Sequence, residues 1–113
     1  MNLEIKKKGK VAVVKYIDTR LDTSVIPAFK EQINNFIDEG NHFIVLNLST
    51  VSFMDSSGLG SVVSSRKKIR AEGDGDLTIC GLKNNVKDLF NLTRMDRKIK
   101  IYTNEDEAVK ALS

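Results

Sequence analysis

The stretch Phe53-Met54-Asp55-Ser56-Ser57-Gly58-Leu59-Gly60 joins two segments of different periodicity. Residues 43–48 before it form a nearly unbroken apolar run of strand length. Residues 61–70 after it have apolar side chains at roughly helical spacing. A strand, a short polar turn over residues 49–58 and the N-terminus of a helix therefore meet here. Two hydroxyls, a carboxylate and two glycines are concentrated at this junction, which makes it the first candidate for a functional site.

A hairpin is predicted at the start of the chain. Leu3 and Ile5 alternate with polar residues, and Gly9 marks a turn. Residues 11–17, which follow, are largely apolar. We therefore expect two antiparallel strands, the second of them mostly buried.

A first helix is predicted between the hairpin and the strand at 43–48. Asp22 and Thr23, at the end of a polar connection, are good N-cap residues for it. Pro27 lies near its first turn, where the missing N–H costs little, and Gly40 marks its end. Apolar residues recur on one face at steps of three and four: Val25, Ile26, Phe29, Ile33, Phe36 and Ile37.

The C-terminal half continues the alternation of strands and helices. A turn at residues 72–76 precedes a strand at 77–80, and a last strand is predicted at 99–102. Between these two strands, a short third helix is marked by Val86, Leu89 and Phe90. Asn104 caps a final helix whose first turn is acidic, as the helix dipole favours.

From residue 11 onward the predicted order is β-α-β-α-β-α-β-α, which is typical of an α/β fold. We expect a mixed, mostly parallel sheet of about five strands, an N-terminal hairpin and four helices. With 113 residues, the chain is long enough for one core but not for two. Residues 1–113 are therefore predicted to form a single domain.

The composition is that of an ordinary soluble globular protein, with 41% hydrophobic and 29% charged residues. No apolar run approaches the roughly 20 residues that span a bilayer, and the N-terminus lacks the apolar region of a signal peptide. The lone Cys80 fits a reducing compartment, since it cannot form an internal disulfide. We expect a cytoplasmic protein without membrane contact.

The formal charge of +3 arises partly from two basic clusters: Lys6, Lys7, Lys8 and Lys10, and Arg66, Lys67, Lys68 and Arg70. Nucleic-acid binding favours a basic face interleaved with stacking aromatic residues. Aromatic residues make up only 6% of this chain, and few lie close to those lysines. A solvated strand edge and a solvated helix face are therefore predicted, with no nucleic-acid partner.

The sequence contains little that matches the residue patterns of known catalytic or metal-binding sites. His42 is the only histidine, so a histidine-based triad or metal cluster would depend on it alone. Residues 58–61 match neither a phosphate-binding loop nor a nucleophile elbow. Cys80 lies in an apolar strand, and Asp74 and Asp76 lie in a glycine-rich turn. We expect no catalytic residues, no metal and no cofactor.

The junction itself admits two interpretations. In the structural one, Asp55 or Ser56 caps the second helix and the glycines allow a tight turn. In the functional one, Gly58 and Gly60, each of which weakens a helix by about 1 kcal/mol relative to alanine, let a partner approach the bare backbone. Two adjacent exposed hydroxyls would then be acceptors for a phosphoryl group.

The junction resembles the signature of the anti-sigma factor antagonists, the bacterial STAS-domain proteins, over residues 51–60 (Val-Ser-Phe-Met-Asp-Ser-Ser-Gly-Leu-Gly). Residues 19–22 (Thr-Arg-Leu-Asp) stand where the family usually has Gly-Glu-Leu/Ile-Asp. Residues 86–93 resemble the family's third-helix segment. The likeness in element order covers essentially the whole chain.

The resemblance implies a phosphorylation-controlled partner switch. The unmodified protein would bind an anti-sigma factor, a serine kinase with a histidine-kinase-like ATPase fold, and so release a sigma factor. That kinase would phosphorylate Ser56, or as second choice Ser57, and a PP2C-type phosphatase would reverse the reaction. The family makes a monomer or weak dimer reasonable. The expected partner-binding residues are Asp22, Thr23, Asp55, Ser56, Ser57, Gly58, Leu59 and Gly60.

Two other functions stay open at this point. A STAS scaffold subunit of a stressosome-like or lipid-transport complex would use the same helix face for permanent contacts, without phosphate turnover. A small enzyme or nucleotide-binding domain has no motif to support it.

Overall fold

A computed structural model describes residues 3–113 of the chain. In chain order its strands are β1 (Leu3–Lys8), β2 (Val11–Tyr16), β3 (Arg20–Leu21), β4 (Phe43–Asn47), β5 (Phe53–Met54), β6 (Asp76–Cys80) and β7 (Ile101–Tyr102). Its α-helices are α1 (Ile26–Asp38), α2 (Ser56–Ala71), α3 (Asn84–Leu92) and α4 (Glu105–Leu112). A short 3₁₀ helix, Met95–Arg97, lies between α3 and β7.

Five strands form the central sheet in the order β1-β2-β4-β6-β7. β1 pairs antiparallel with β2, and the other neighbours are parallel. The α/β prediction, with its mixed sheet, N-terminal hairpin and four helices, is confirmed. β3 and β5 form a separate two-stranded parallel sheet that was not predicted.

The two faces of the central sheet are covered differently. Val14, Leu46 and Ile79 lie in the main core with buried residues of α1, α2 and α3. Val13 and Val45 lie in a smaller cluster with Ala108 and Leu112 of α4. Neighbouring residues of β2 thus enter different clusters, as the two-residue repeat of a strand requires. Because β2 and β4 are buried on both faces, their sequences are nearly continuous apolar runs without the alternation of a half-exposed strand.

The N-cap of helix α1 lies two or three residues later than the predicted caps. Its N-cap is Val25, which makes no side-chain cap hydrogen bond, so the assignment of Asp22 and Thr23 as helix caps is wrong. The Asp22 carbonyl instead accepts from the N–H groups of Val25 and Ile26, closing a turn ahead of the helix. Gly40, with φ of +103°, follows the end of α1 as predicted.

Helix α2 begins at Ser56, earlier than the apolar periodicity of residues 61–70 indicates. Its buried stripe includes Ser61 and Ser65, whereas Val63 is only half-buried. The two serine hydroxyls donate to the carbonyls of Gly58 and Ser61, at 2.7 and 2.9 Å. Because these hydroxyls are satisfied within the helix, serine can occupy core positions that hydropathy assigns to apolar residues.

The remaining elements differ only in their bounds. β7 covers two residues of the predicted strand at 99–102, although Ile99 is buried. Asn104 caps α4 as predicted: its side chain accepts from the Glu107 N–H at 3.0 Å. Within residues 3–113, no helix is both long enough and apolar enough to cross a bilayer.

Candidate functional site

The site is built where the small β3–β5 sheet brings two distant segments together. Arg20 lies beside Phe53, and Leu21 beside Met54. The N–H groups of Ser52 and Phe53 both donate to the Thr19 carbonyl, at 2.8 and 3.2 Å. The loop before α1 is thereby fixed against the start of α2. Strands of two residues are too short to show a hydrophobic period, so this pairing left no sequence signal.

Asp55 is the centre of the hydrogen bonding at this junction. Its Oδ1 accepts from the Ser57 hydroxyl at 2.6 Å and from the Gly58 N–H at 3.0 Å. Its Oδ2 accepts from the N–H and the hydroxyl of Thr23, at 3.1 and 3.0 Å. The carboxylate therefore caps α2, so of the two predicted caps, Asp55 and Ser56, the structure has Asp55. It also holds the loop before α1.

These contacts lower the pKa of Asp55. The hydrogen bond from Ser57 contributes most, followed by that from the Gly58 backbone; partial burial opposes them, and the two bonds from Thr23 add to the lowering. Each of these donors favours the ionised form of the carboxyl. Asp55 is thus held as a carboxylate whose four acceptor positions are occupied.

Ser56 and Ser57 differ sharply in their surroundings. Ser57 is half-buried, and its hydroxyl proton is directed to Asp55. The Thr23 hydroxyl also donates its proton to Asp55. The Thr23 and Ser57 hydroxyl oxygens lie 3.1 Å apart, but because both protons are directed to Asp55, neither hydroxyl donates to the other. Ser56, at the first position of α2, is exposed. Within residues 3–113 its hydroxyl has no hydrogen-bond partner, and it is therefore the freely available hydroxyl of the pair.

The glycines of the junction have separate roles. A Cβ on Gly58 would overlap the Leu21 carbonyl oxygen and lie 2.9 Å from Met54 Cγ. Gly58 is buried, so the expectation that its bare backbone serves the approach of a partner is wrong: it serves the approach of β3. Leu59 is likewise buried in the main core. Gly60 is exposed, with nothing within 4 Å of a Cβ built there, so it alone leaves backbone open to a partner.

Asp22 is nearly buried, at 8% exposure. Its carboxylate accepts from the N–H and hydroxyl of Ser24 and from the Arg20 Nε at 2.9 Å. The hydrogen bond from the Ser24 hydroxyl is the main cause of its lowered pKa. Asp22 therefore organises the loop, while its neighbour Thr23 reaches the Asp55 centre.

An aromatic feature beside the site was not singled out from the sequence. Phe53 is 42% exposed, and the Arg20 guanidinium carbon lies 4.3 Å from the centroid of its ring. The cation over the ring face is a stabilising arrangement. Phe53 and Met54 are both apolar, so the sequence carries no signal that tells the exposed side chain from the buried one.

Cys80 and His42 lie outside the site. Cys80 is buried, and burial, followed by the charge of Glu105, raises the pKa of its thiol to about 11. The thiolate is therefore scarce at neutral pH. His42 lies just before β4, and its carbonyl accepts from the Asp76 N–H at 2.9 Å.

The lowered pKa of Asp55 predicts an acid-dependent loss of stability. A carboxyl whose folded-state pKa is depressed stabilises the fold above its unfolded pKa, near 3.8, and loses that contribution as the pH falls further. Asparagine also caps helices well but does not titrate, so Asp55→Asn should show a shallower decline of stability between pH 4 and pH 2. Urea unfolding at several pH values measures this. Equal slopes for wild type and variant would contradict the assigned network.

Both the sequence and the fold of the chain are similar to those of known proteins. The chain matches the STAS domain family over residues 2–108. It is 31% identical over 110 residues to the anti-sigma-B factor antagonist of Staphylococcus aureus, covering 97% of this chain and 98% of that protein. A candidate anti-sigma factor antagonist from Thermotoga maritima, known from a crystal structure, gives a TM-score of 0.87 at 28% identity, covering 97% of this chain and 93% of that chain. Bacillus SpoIIAA in its phosphorylated form shares the fold, with a TM-score of 0.71 at 20% identity, over 97% of this chain and 98% of that chain. The protein therefore belongs to the STAS domain family, as a relative of the anti-sigma factor antagonists.

Proposed function

We propose that the protein is an anti-sigma factor antagonist whose binding is switched by phosphorylation of Ser56. The observation that carries the proposal is the contrast at the start of α2: Ser56 is exposed and unengaged, whereas Ser57 is tied to Asp55. The Staphylococcus aureus relative is an anti-sigma-B factor antagonist, which supports a binding protein and not an enzyme. In its unmodified form the chain would bind an anti-sigma factor serine kinase and so release a sigma factor.

A phosphate on Ser56 changes the surface without requiring a change of fold. It adds about −1.5 to −2 charges at a hydroxyl that makes no hydrogen bond to any other residue in the described range 3–113. The N-terminus of α2 tolerates this charge in the free protein, since its backbone N–H groups favour anions. A partner packed against Ser56 would have to accommodate the phosphate's bulk and its desolvation, next to the Asp55 carboxylate.

The proposed contact surface consists of the exposed groups around Ser56. Gly60 lies one helical turn further along the same helix, and Phe53 with its stacked Arg20 lies at the neighbouring strand. Aromatic and arginine side chains are frequent anchors in protein interfaces. Gly58 and Leu59 support this surface from the core, and Thr23 and Asp55 hold its shape.

The test is a pull-down from native-host lysate with four baits: wild type, Ser56→Ala, Ser56→Asp and Ser64→Asp. Ser64 is exposed on the same helix two turns from Ser56 and serves as the matched control for added charge. We expect a serine kinase of the histidine-kinase-like ATPase class on every bait except Ser56→Asp, where its recovery should fall at least about tenfold, or 1.4 kcal/mol.

The recovered kinase then tests the acceptor. With ATP it should label wild type and Ser57→Ala but not Ser56→Ala, and a PP2C-type phosphatase should remove the label. Equal recovery of the kinase on Ser56→Asp and wild type would refute the switch. Recovery of one large complex on all four baits would favour a STAS scaffold, since such a subunit keeps its contacts permanently.

A further inference from the structure

Strand β1 forms an open edge of the central sheet. It pairs with β2 on one side, and no other strand within residues 3–113 pairs with its outer side. An edge strand presents unpaired backbone N–H and C=O groups that another strand can bind. β1 also carries Ile5, a large apolar residue that is 47% exposed.

The side chains of β1 divide by charge between the two faces of the sheet. Lys6 and Lys8 face α4, since both contact Glu105, at 3.4 and 3.7 Å, and Glu4 shares their face by alternation. On the opposite face, Leu3 and Ile5 line a groove of about 330 Å³ between β1 and α1, together with Ile33 and Phe36. Lys7 completes that face, where its ammonium donates to Asn41 Oδ1 at 3.1 Å.

The lysines of β1 oppose pairing with another strand less strongly than their number indicates. Edge lysines commonly oppose pairing with another strand. Here Lys6 and Lys8 contact Glu105, and Lys8 also lies 3.8 Å from Asp106. Their charges are thus partly neutralised by the first turn of α4, and the backbone edge stays accessible.

A second copy of β1 fits this edge in one register. A two-fold axis perpendicular to the sheet keeps each face on its own side, so opposed residues are both odd or both even in number. A residue on the axis faces the same residue of the second copy. An axis at Glu4, Lys6, Lys7 or Lys8 would therefore place two like charges opposite each other, which disfavours these four registers. A register centred on Leu3 leaves the last three residues of the strand unpaired. Centring on Ile5 places Glu4 opposite Lys6 of the second copy, twice, with the two Ile5 side chains meeting at the axis.

We propose that the protein forms a homodimer through antiparallel pairing of β1 with β1 of a second copy, with the two-fold axis at Ile5. The central sheets then join into one continuous sheet of ten strands. Opposite charges facing each other across strands, together with the paired apolar side chains, stabilise this register. The interface does not include Ser56 or the β3–β5 sheet, so this proposal stands or falls independently of the phosphorylation switch.

Charge reversal tests the register. In Glu4→Lys, lysine faces lysine twice across the axis; in Lys6→Glu, glutamate faces glutamate twice. Each variant alone should dissociate at least about tenfold more readily than wild type in sedimentation velocity over a concentration series. Mixed in equal amounts, the two variants should recover dimers, because every opposed pair is then of opposite sign. Circular dichroism of each variant checks that it is folded.

Cross-linking gives a second measurement that does not depend on charge. Ile5→Cys places two thiols at the axis, whereas Lys7→Cys separates them by four residues, about 13 Å along the strand. A short bis-maleimide should link Ile5→Cys into dimers and leave Lys7→Cys monomeric. The native Cys80 is buried and serves as the unreactive background in wild type. A wild type that stays monomeric at every concentration overturns the proposal and leaves the edge for a strand of another protein. Failure of the mixed variants to pair overturns the register.

Discussion

Gly58→Ala should lower the free energy of unfolding by about 3 kcal/mol or more, because the added methyl group has no room. The Cβ would overlap the Leu21 carbonyl oxygen and press on Met54. The carbonyl belongs to the backbone of β3, which is held by its pairing with β5, so it cannot rotate away as a side chain would. Relief requires α2 to move away from β3. Urea unfolding followed by circular dichroism measures the loss.

Gly60→Ala is the matched control, two residues along the same helix. Nothing lies within 4 Å of a Cβ at this position, and alanine is the better helix former by about 1 kcal/mol. Gly60→Ala should therefore be as stable as wild type or more stable. Similar losses for both variants would show that helix propensity, and not the approach of β3, dominates at Gly58.

Phe29→Ala is expected to cost about 3–5 kcal/mol of stability, since it empties a fully buried aromatic site. Phe29 projects from α1 into the main core and meets the Tyr16 ring edge-to-face, with ring centroids 5.7 Å apart and an interplanar angle of 89°. The variant removes both the buried area and this ring contact. Thermal or urea unfolding gives the magnitude. A loss below about 1 kcal/mol would mean that the core collapses into the space, contrary to this prediction.

Tyr16→Phe separates the ring from its hydroxyl. The Tyr16 hydroxyl donates to the Arg20 carbonyl at 2.5 Å and so ties β3 to the end of β2, while the ring contact with Phe29 is retained in the variant. Loss of one such hydrogen bond costs about 1 kcal/mol, well below the cost of Phe29→Ala. Hydrogen exchange at the β3 amides should rise more than exchange in β4, since the lost bond is local to the loop.

Much of the fold could be predicted because its signals are local. The apolar run at 43–48, the turn at Gly9 and the end of α1 at Gly40 each depend on residues adjacent in sequence. The order of the elements then implies the parallel sheet and its crossovers. Hydropathy predicts burial less well where a polar side chain forms its hydrogen bond within its own helix, as the hydroxyls of Ser61 and Ser65 do in α2.

The architecture of the site could be predicted only in part. Asp55 as helix cap follows from its position before the helical pattern, but its bonds to Thr23 span 32 residues and have no local signature. For the same reason Gly58 was assigned to a partner's approach when its neighbour is β3 of the same chain. The ranking of Ser56 above Ser57 depends on family resemblance and stays a prediction; the structure shows that the Ser57 hydroxyl is hydrogen-bonded to Asp55, a contact that the sequence does not reveal.

The saturated carboxylate of Asp55 has a consequence for how a phosphoryl group could reach its neighbour. A serine attacks ATP only when some base accepts its proton, and an adjacent aspartate is an obvious candidate. Asp55 is poorly suited to that task, because four donors already occupy its oxygens and lower its basicity. Any kinase that modifies Ser56 must therefore bring its own general base. If Ser56 is phosphorylated as proposed, the activation of its hydroxyl would therefore depend on the kinase and not on a base supplied by this chain.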